Sequence, residues 1–262
     1  MTRYLRLVGI QLRTSLAQAM AYRANFIVQG VTSVAWLALA LLPLIVLFNK
    51  RDSVAGWSRS DALIVMAYFM GLKAVLEGVV SPSLVDLVER IRSGSFDYVL
   101  LKPIDAQVVV SASRYEPWKA FDFLGAIVLV VYAFIRRGAP PAPEDLVLGL
   151  ALFVAGAIAM YSLWIVCAAF SFWAGRLDNL IYLLGAIFDT ARWPVQVFRG
   201  LWRIVFTFVI PVAVMTTFPA MALLGRLDTT TALGTFGGTL ALLVISRVIW
   251  RIAIRSYTSA SS

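Results

Sequence analysis

Apolar residues gather along this chain in long runs, with most charges between them. Residues 26–48 carry no charge over 23 positions, and 62–80 are interrupted only by Lys73 and Glu77. A third run, 117–135, has Lys119 and Asp122 near its start. The fourth, 146–175, is the longest uncharged stretch at 30 residues, and 229–246 is the last. Each is close to the roughly 20 residues that a helix needs to cross a hydrocarbon core of about 30 Å, so each predicts a spanning helix.

The remaining apolar stretch, 177–225, is broken by Asp189, Arg192, Pro194, Arg199, Arg203, Pro211 and Pro219. Two crossings do not fit there, and one brings the total to six. Asp189 and Arg192 are three apart and Trp193-Pro194 follows, so a helix beginning near Asn179 breaks just beyond them, where proline removes a donor and pushes its predecessor out of the helical region. Residues 196–225 then follow one of two courses. They re-enter from the outer face, which is tolerated only against protein or a water-filled cavity, or 204–225 is a single kinked span and 177–203 is interfacial.

Composition agrees with the runs. Of 262 residues 61% are apolar and 14% charged, and the mean hydropathy is +0.85, which excludes a soluble enzyme and a disordered chain. The charge of +9 suggests nucleic acid in a soluble domain, but here the basic residues border the apolar runs, where topology and anionic lipid account for them. With no histidine and Cys167 alone, nitrogen and sulfur metal sites lack ligands, imidazole acid-base chemistry is absent and no intrachain disulfide forms. The first 24 residues intersperse Arg3, Arg6, Arg13 and Arg23 with apolar residues, unlike a secretory signal, so the amino terminus is expected to be retained.

Basic residues also orient the chain. The arm 1–24 has four. The 81–116 loop has Arg90, Arg92, Lys102 and Arg114, and the carboxyl end has Arg247, Arg251 and Arg255; these segments are placed inside. The less basic 49–60 and 136–144 loops and the Arg226 turn fall outside. The expectation is an all-α integral membrane protein of six transmembrane helices with both termini cytoplasmic, one transmembrane domain over 1–262. It includes a cytoplasmic arm at 1–24, a cytoplasmic region at 81–116 and a fifth span within 177–225.

Two segments read as amphipathic rather than spanning. Leu5, Val8, Leu12 and Leu16 share a helical face opposite Arg3, Arg6 and Arg13, so the arm lies along the inner membrane surface, as an anchor or as a contact for another subunit. After the second span, Ser81 is placed to cap a short helix with Pro82 first and Gly94 as its stop. Leu84, Leu87, Val88 and Ile91 form its apolar stripe, and Asp86, Glu89, Arg90 and Arg92 its polar side. That pattern suits docking into a protein groove and equally a membrane-resting helix.

Lys73 and Glu77, four apart, share a face and pair where either alone is costly, as an inter-helix lock or as part of a substrate path. Asp189 and Arg192 are the other charges at membrane depth. Arg114, Glu116, Lys119 and Asp122 read as a separate interfacial salt network.

In this order the pieces resemble the membrane subunit of ABC-2-type ATP-driven transporters, on the branch usually found with a second, different permease and a separate ATPase. The likeness covers nearly the whole chain and is most specific in Ile91-Arg92-Ser93-Gly94-Ser95-Phe96-Asp97-Tyr98-Val99-Leu100-Leu101-Lys102-Pro103, and in Phe172-Trp173-Ala174-Gly175-Arg176 leading to Pro194, Pro211 and Pro219. It implies that 81–103 includes the coupling element touching the ATPase, with Asp86, Glu89, Arg90, Arg92, Phe96 and Asp97 as candidates. It further implies that the second and fifth helices line the translocation path, with Lys73, Glu77, Asp189 and Arg192 as candidates. The assembly implied pairs two permeases, identical or different, with an ATPase dimer in a bacterial inner membrane, and involves lipid but no nucleic acid.

None of the four lysines, Lys50, Lys73, Lys102 and Lys119, sits in a phosphate-binding loop, so ATP and Mg²⁺ are expected on the partner and this chain is not itself an enzyme. The resemblance makes it a permease for export of an amphipathic or lipid-like substrate. An ion-coupled secondary transporter, with those four charges near its path, is the alternative. A membrane enzyme ranks third, because no nucleophile-base or metal constellation marks a reacting centre.

Overall fold

The computed structural model describes residues 2–21, 23–174 and 178–257. Gly175, Arg176 and Leu177 lie outside the described residues, as do the side chains of Arg3, Leu5, Arg23 and Asn179.

The arm forms α1 (Thr2–Ala21), and α2 (Arg23–Lys50) follows with Pro43 inside it. A hairpin of two two-residue strands, β1 (Ser53–Val54) and β2 (Trp57–Ser58), turns the chain back in an otherwise helical fold. Ser58 then caps α3 (Arg59–Val75) by accepting from the Asp61 amide at 3.2 Å. This helix is the centre of the protein: Ile64, Val65 and Leu72 are fully buried, and a cluster of apolar side chains from α3 and its neighbours forms the core.

A separate capped helix was expected at Ser81. Instead α3 runs through a π-helical turn, Leu76–Val80, into α4 (Ser81–Arg92), and Ser81 makes no side-chain cap. The cause is Pro82, which has no N–H for the Gly78 carbonyl four residues back. The turn widens, with the Ser81 amide bonding Leu76, and the released Gly78 carbonyl accepts from the Glu116 amide at 2.8 Å. A Cβ at Gly78 would come within 3.0 Å of the Lys119 Cβ, so the close approach of 116–119 needs glycine there. The continuous Arg59–Arg92 helix is about 50 Å long at 1.5 Å per residue, some 20 Å more than a hydrocarbon core. A helix of that length must tilt or extend beyond the apolar layer.

After α4 come α5 (Asp97–Leu100) and α6 (Ala106–Ser111), the latter capped by Asp105. A 3₁₀ turn at Pro117–Lys119 leads into α7 (Ala120–Arg137), and α8 (Pro143–Ala169) and α9 (Ser171–Ala174) return the chain. The fifth apolar stretch is not one helix. It comprises α10 (Asp178–Phe188), a 3₁₀ turn at Asp189–Arg192, extended residues Trp193 and Pro194, and another 3₁₀ turn at Val195–Val197. Next, α11 (Leu201–Ile204) continues as a π turn to Val209. A second π turn, Ala213–Thr217, opens α12 (Phe218–Leu223), and these two arms meet at 70°. Last comes α13 (Thr229–Arg255).

Hydrogen bonds fix how this irregular part runs. The Thr216 hydroxyl donates to the Ala191 carbonyl at 2.9 Å, the Val195 amide to the Thr217 hydroxyl at 3.0 Å, and the Gln196 amide approaches the Met221 sulfur at 3.6 Å. Residues 191–196 and 216–221 thus lie side by side in the same direction, and the segment between them must double back. The returning arm is buried (Val212 and Ala213 fully), whereas Leu201, Trp202 and Phe208 on the first arm are exposed.

Among the described residues, five helices are long and apolar enough to cross a membrane: Ala24–Lys50, Arg59–Arg92, Pro117–Arg137, Pro143–Trp173 and Thr229–Arg255. The bent pair gives a sixth if it counts as one span.

Candidate functional site

Charges that the sequence scatters over 120 positions meet in one row. Lys73 Nζ lies 2.7 Å from Asp189 Oδ1 and 3.8 Å from Glu77 Oε1, and Lys119 Nζ lies 2.6 Å from Glu77 and 3.2 Å from Asp122. Arg192 reaches Asp189 at 3.6 Å, and both it and Lys73 lie over the Phe69 ring, at 5.4 and 5.6 Å from its centre. Cations and anions alternate along Arg192, Asp189, Lys73, Glu77, Lys119 and Asp122, so the charges cancel. Lys73 and Glu77 therefore do not form a self-contained pair; each takes its nearer partner from another element. Lys119 and Asp122 belong to this row, and Glu116 feels Lys119, Arg114 and Glu77, so the cluster at the start of α7 is continuous with the row.

The row lines a cleft of about 570 Å³ between α2, α3, the start of α7 and the 189–192 turn. Opposite the charges, α2 contributes Gln29, Thr32, Ser33 and Trp36, polar positions that the spacing of its apolar run did not single out. The Lys73 and Glu77 side chains remain 36% exposed and Asp189 40%, so one side of this row is uncovered. Charge facing lipid at that depth costs about 2.5–3.5 kcal/mol per group before pairing, which favours water or protein rather than lipid on the open side.

A second region lies at the far end of α3. Leu84, Leu87 and Val88 are at most 6% exposed, so the apolar stripe of α4 is used inside the molecule and is not free for docking. Ser83 ties α4 to the 113–114 turn, its hydroxyl donating to the Arg114 carbonyl at 2.8 Å. Phe96 is wholly buried, edge-on to Phe172 and to Tyr257 at 5.2 Å each, so it anchors its turn and offers no surface for docking. Burial first, and then the neighbouring Asp97 carboxylate, push the Tyr257 phenol up. Asp86 pairs with Arg90 at 2.7 Å and Glu89 with Arg92 at 3.8 Å. What faces outward is Glu89 (70%), Tyr98 (70%), Leu101 (79%), Val85 and Arg92, an apolar and charged patch. Tyr98 and Leu101 stand within the Phe96 to Pro103 motif but were not candidates, because their exposure depends on Phe96 turning inward.

This patch is braced from behind. Asp105 accepts from the amides of Gln107 and Val108 and takes the Arg247 guanidinium of α13, which holds its carboxyl below the usual carboxylate range. Gln107 accepts from Arg247 at 2.6 Å and donates to the Tyr161 hydroxyl of α8 at 2.9 Å. At the opposite end Asp61, 3% exposed, accepts from Arg137 at 2.6 Å and Arg226 at 2.9 Å, joining the ends of α3, α7 and α12. Charge counting alone reads these arginines as loop charges; their partners are 76 and 165 positions away.

No curated protein and no solved structure matches the chain. A family model described as ABC-2 family transporter protein matches residues 34–261, which include α3, the row of six charges and the braced patch. The chain is a multi-pass membrane permease belonging to the ABC-2 transporter family.

Proposed function

We propose that the chain is the membrane-spanning subunit of an ATP-driven exporter that moves an amphipathic or lipid-like substrate in a bacterial inner membrane. It works with a second permease, identical or different, and with a separate ATPase dimer that binds ATP and Mg²⁺. Both termini and 81–116 face the cytoplasm, and 201–223 re-enter from the outer side before the last crossing. The observation that carries this reading is the uncovered, charge-balanced cleft within a chain of this family. Its open side faces the translocation path and the second permease, and Lys73, Glu77, Asp189 and Arg192 contribute to it.

The patch of Val85, Glu89, Arg92, Tyr98 and Leu101 receives the ATPase. Asp86 and Arg90 hold each other on its flank, Asp97 lies beside Tyr257, and Phe96 fixes the turn. Because Asp105, Gln107 and Arg247 tie this region to α8 and α13, a push on the patch reaches spanning helices through charged hydrogen bonds rather than through a loose loop.

Reconstitution in proteoliposomes with the candidate ATPase and a fluorescent lipid is the test. Movement that needs ATP and both subunits supports the proposal. Movement by this chain alone under an ion gradient would replace it with the secondary-carrier reading.

A further inference from the structure

Beneath the amino-terminal arm lies a second cavity, of about 590 Å³, well within the size range of small-molecule sites. Tyr4 and Val8 of α1 form one wall, and Val108 of α6 and Ala112 just after it form another. The floor is polar. Arg247 and Asp105 cancel each other's charge there, and the Tyr161 hydroxyl is held by Gln107 at 2.9 Å and Ser111 at 2.7 Å. Among the described residues, Asp105 and Gln107 take three of the five N–H groups that a guanidinium offers.

We propose that this cavity holds one zwitterionic phospholipid, its phosphate on the remaining Arg247 donors and its ammonium among the rings of Tyr4, Tyr115 and Tyr161. Three observations support that chemistry. The floor is charge-balanced, which gives no advantage to an anionic headgroup, while tyrosine faces attract an ammonium. The arm leaves Val8, Leu12 and Leu16 between 37% and 49% exposed, as a helix lying at a bilayer surface does, so the cavity under it sits at headgroup level. Leu240, Val244 and Arg247 are spaced i, i+4, i+7 on α13, and Leu240 and Val244 are 61% and 54% exposed. An apolar track thus runs from the guanidinium toward the middle of the membrane, where the acyl chains lie. This inference requires residence in a membrane, not ATP-driven transport, and its test reads neither transport nor orientation.

The full chain, purified in detergent and stripped of lipid, is mixed with equal amounts of phosphatidylethanolamine and phosphatidylglycerol and weighed by native mass spectrometry. One phosphatidylethanolamine is retained. Val8→Trp, which fills the cavity from an exposed position, binds it about tenfold less tightly, a difference of about 1.4 kcal/mol. Tyr4→Ala weakens it in the same direction, and Leu12→Trp, on the same arm but outside the cavity, leaves it unchanged. The proposal is overturned by no retained lipid, by preference for phosphatidylglycerol, or by retention that Val8→Trp leaves intact or Leu12→Trp lowers equally. Competition by free phosphoethanolamine at the same concentration would overturn it too, because the site would then take a soluble headgroup.

Discussion

Lys73 lies more than an ångström nearer to Asp189 than to Glu77, and that difference sets which pair is coupled. In a double-mutant cycle measured by thermal unfolding in detergent, Lys73→Ala with Asp189→Ala departs from additivity by about 1 kcal/mol, the low end for contacting charges because both are partly exposed. Lys73→Ala with Glu77→Ala departs by less; equal couplings in the two cycles would contradict the geometry. The sequence made the i, i+4 pair legible because helical spacing is local. It left the Asp189 contact invisible, since 116 positions and a helix break intervene. Asp105 gives a second test. Its folded carboxyl is depressed chiefly by the Arg247 hydrogen bond, so the stabilisation is complete above the ordinary value of about 3.9 and is lost as pH falls through the folded value. Glu116, raised chiefly by burial, acts in the opposite sense over the acid range. Asp105→Asn should therefore lower stability near neutrality and flatten the acid-side loss in melts taken from neutrality down to about pH 2; an unchanged profile would remove the brace.

Among the elements, α8 and the buried arm opening α12 come backbone to backbone at Gly156. A Cβ there would meet the Met215 carbonyl at 3.0 Å and its Cα at 3.1 Å, backbone atoms that cannot swing aside. Gly156→Ala is expected to lower stability by about 1–3 kcal/mol through overpacking. Gly234→Ala on α13, with nothing within 4 Å, is expected to be neutral or slightly stabilising, and thermal melts of the two variants check the contrast. The long spans were legible because a charge-free run of about 20 residues suits a bilayer and little else in a folded chain. The joint between α3 and α4 was not, because Ser81 and Pro82 resemble a helix start and a π turn leaves no pattern of its own. Only the pairing of Gly78 with Pro82, one carbonyl losing one donor, hinted at it. The stripe on α4 was read correctly as apolar, but periodicity does not say whether a face meets a partner or the protein's own α6 and α8.

Across the whole molecule, charged ties sit at both ends of the helix set and the open cleft lies between them. Asp61 gathers one end through two arginines, and Asp105, Gln107 and Arg247 gather the other behind the exposed patch. Under the proposed function, a force applied to that patch is directed at α8 and α13, and the charge-balanced row is the seam along which α2, α3 and the 189–192 turn would separate. Glu89→Ala with Arg92→Ala is expected to weaken ATPase association and coupled turnover without preventing membrane insertion, as read by co-purification and ATP hydrolysis. Unchanged association would move the contact elsewhere. The most direct test of a cytoplasmic, ATPase-facing patch is labelling of a single cysteine placed by Leu101→Cys in a Cys167→Ala background, using a membrane-impermeant maleimide on intact cells and on inside-out vesicles. Labelling only in the vesicles, and blocked there by the bound ATPase, is the predicted result; labelling of intact cells would contradict it.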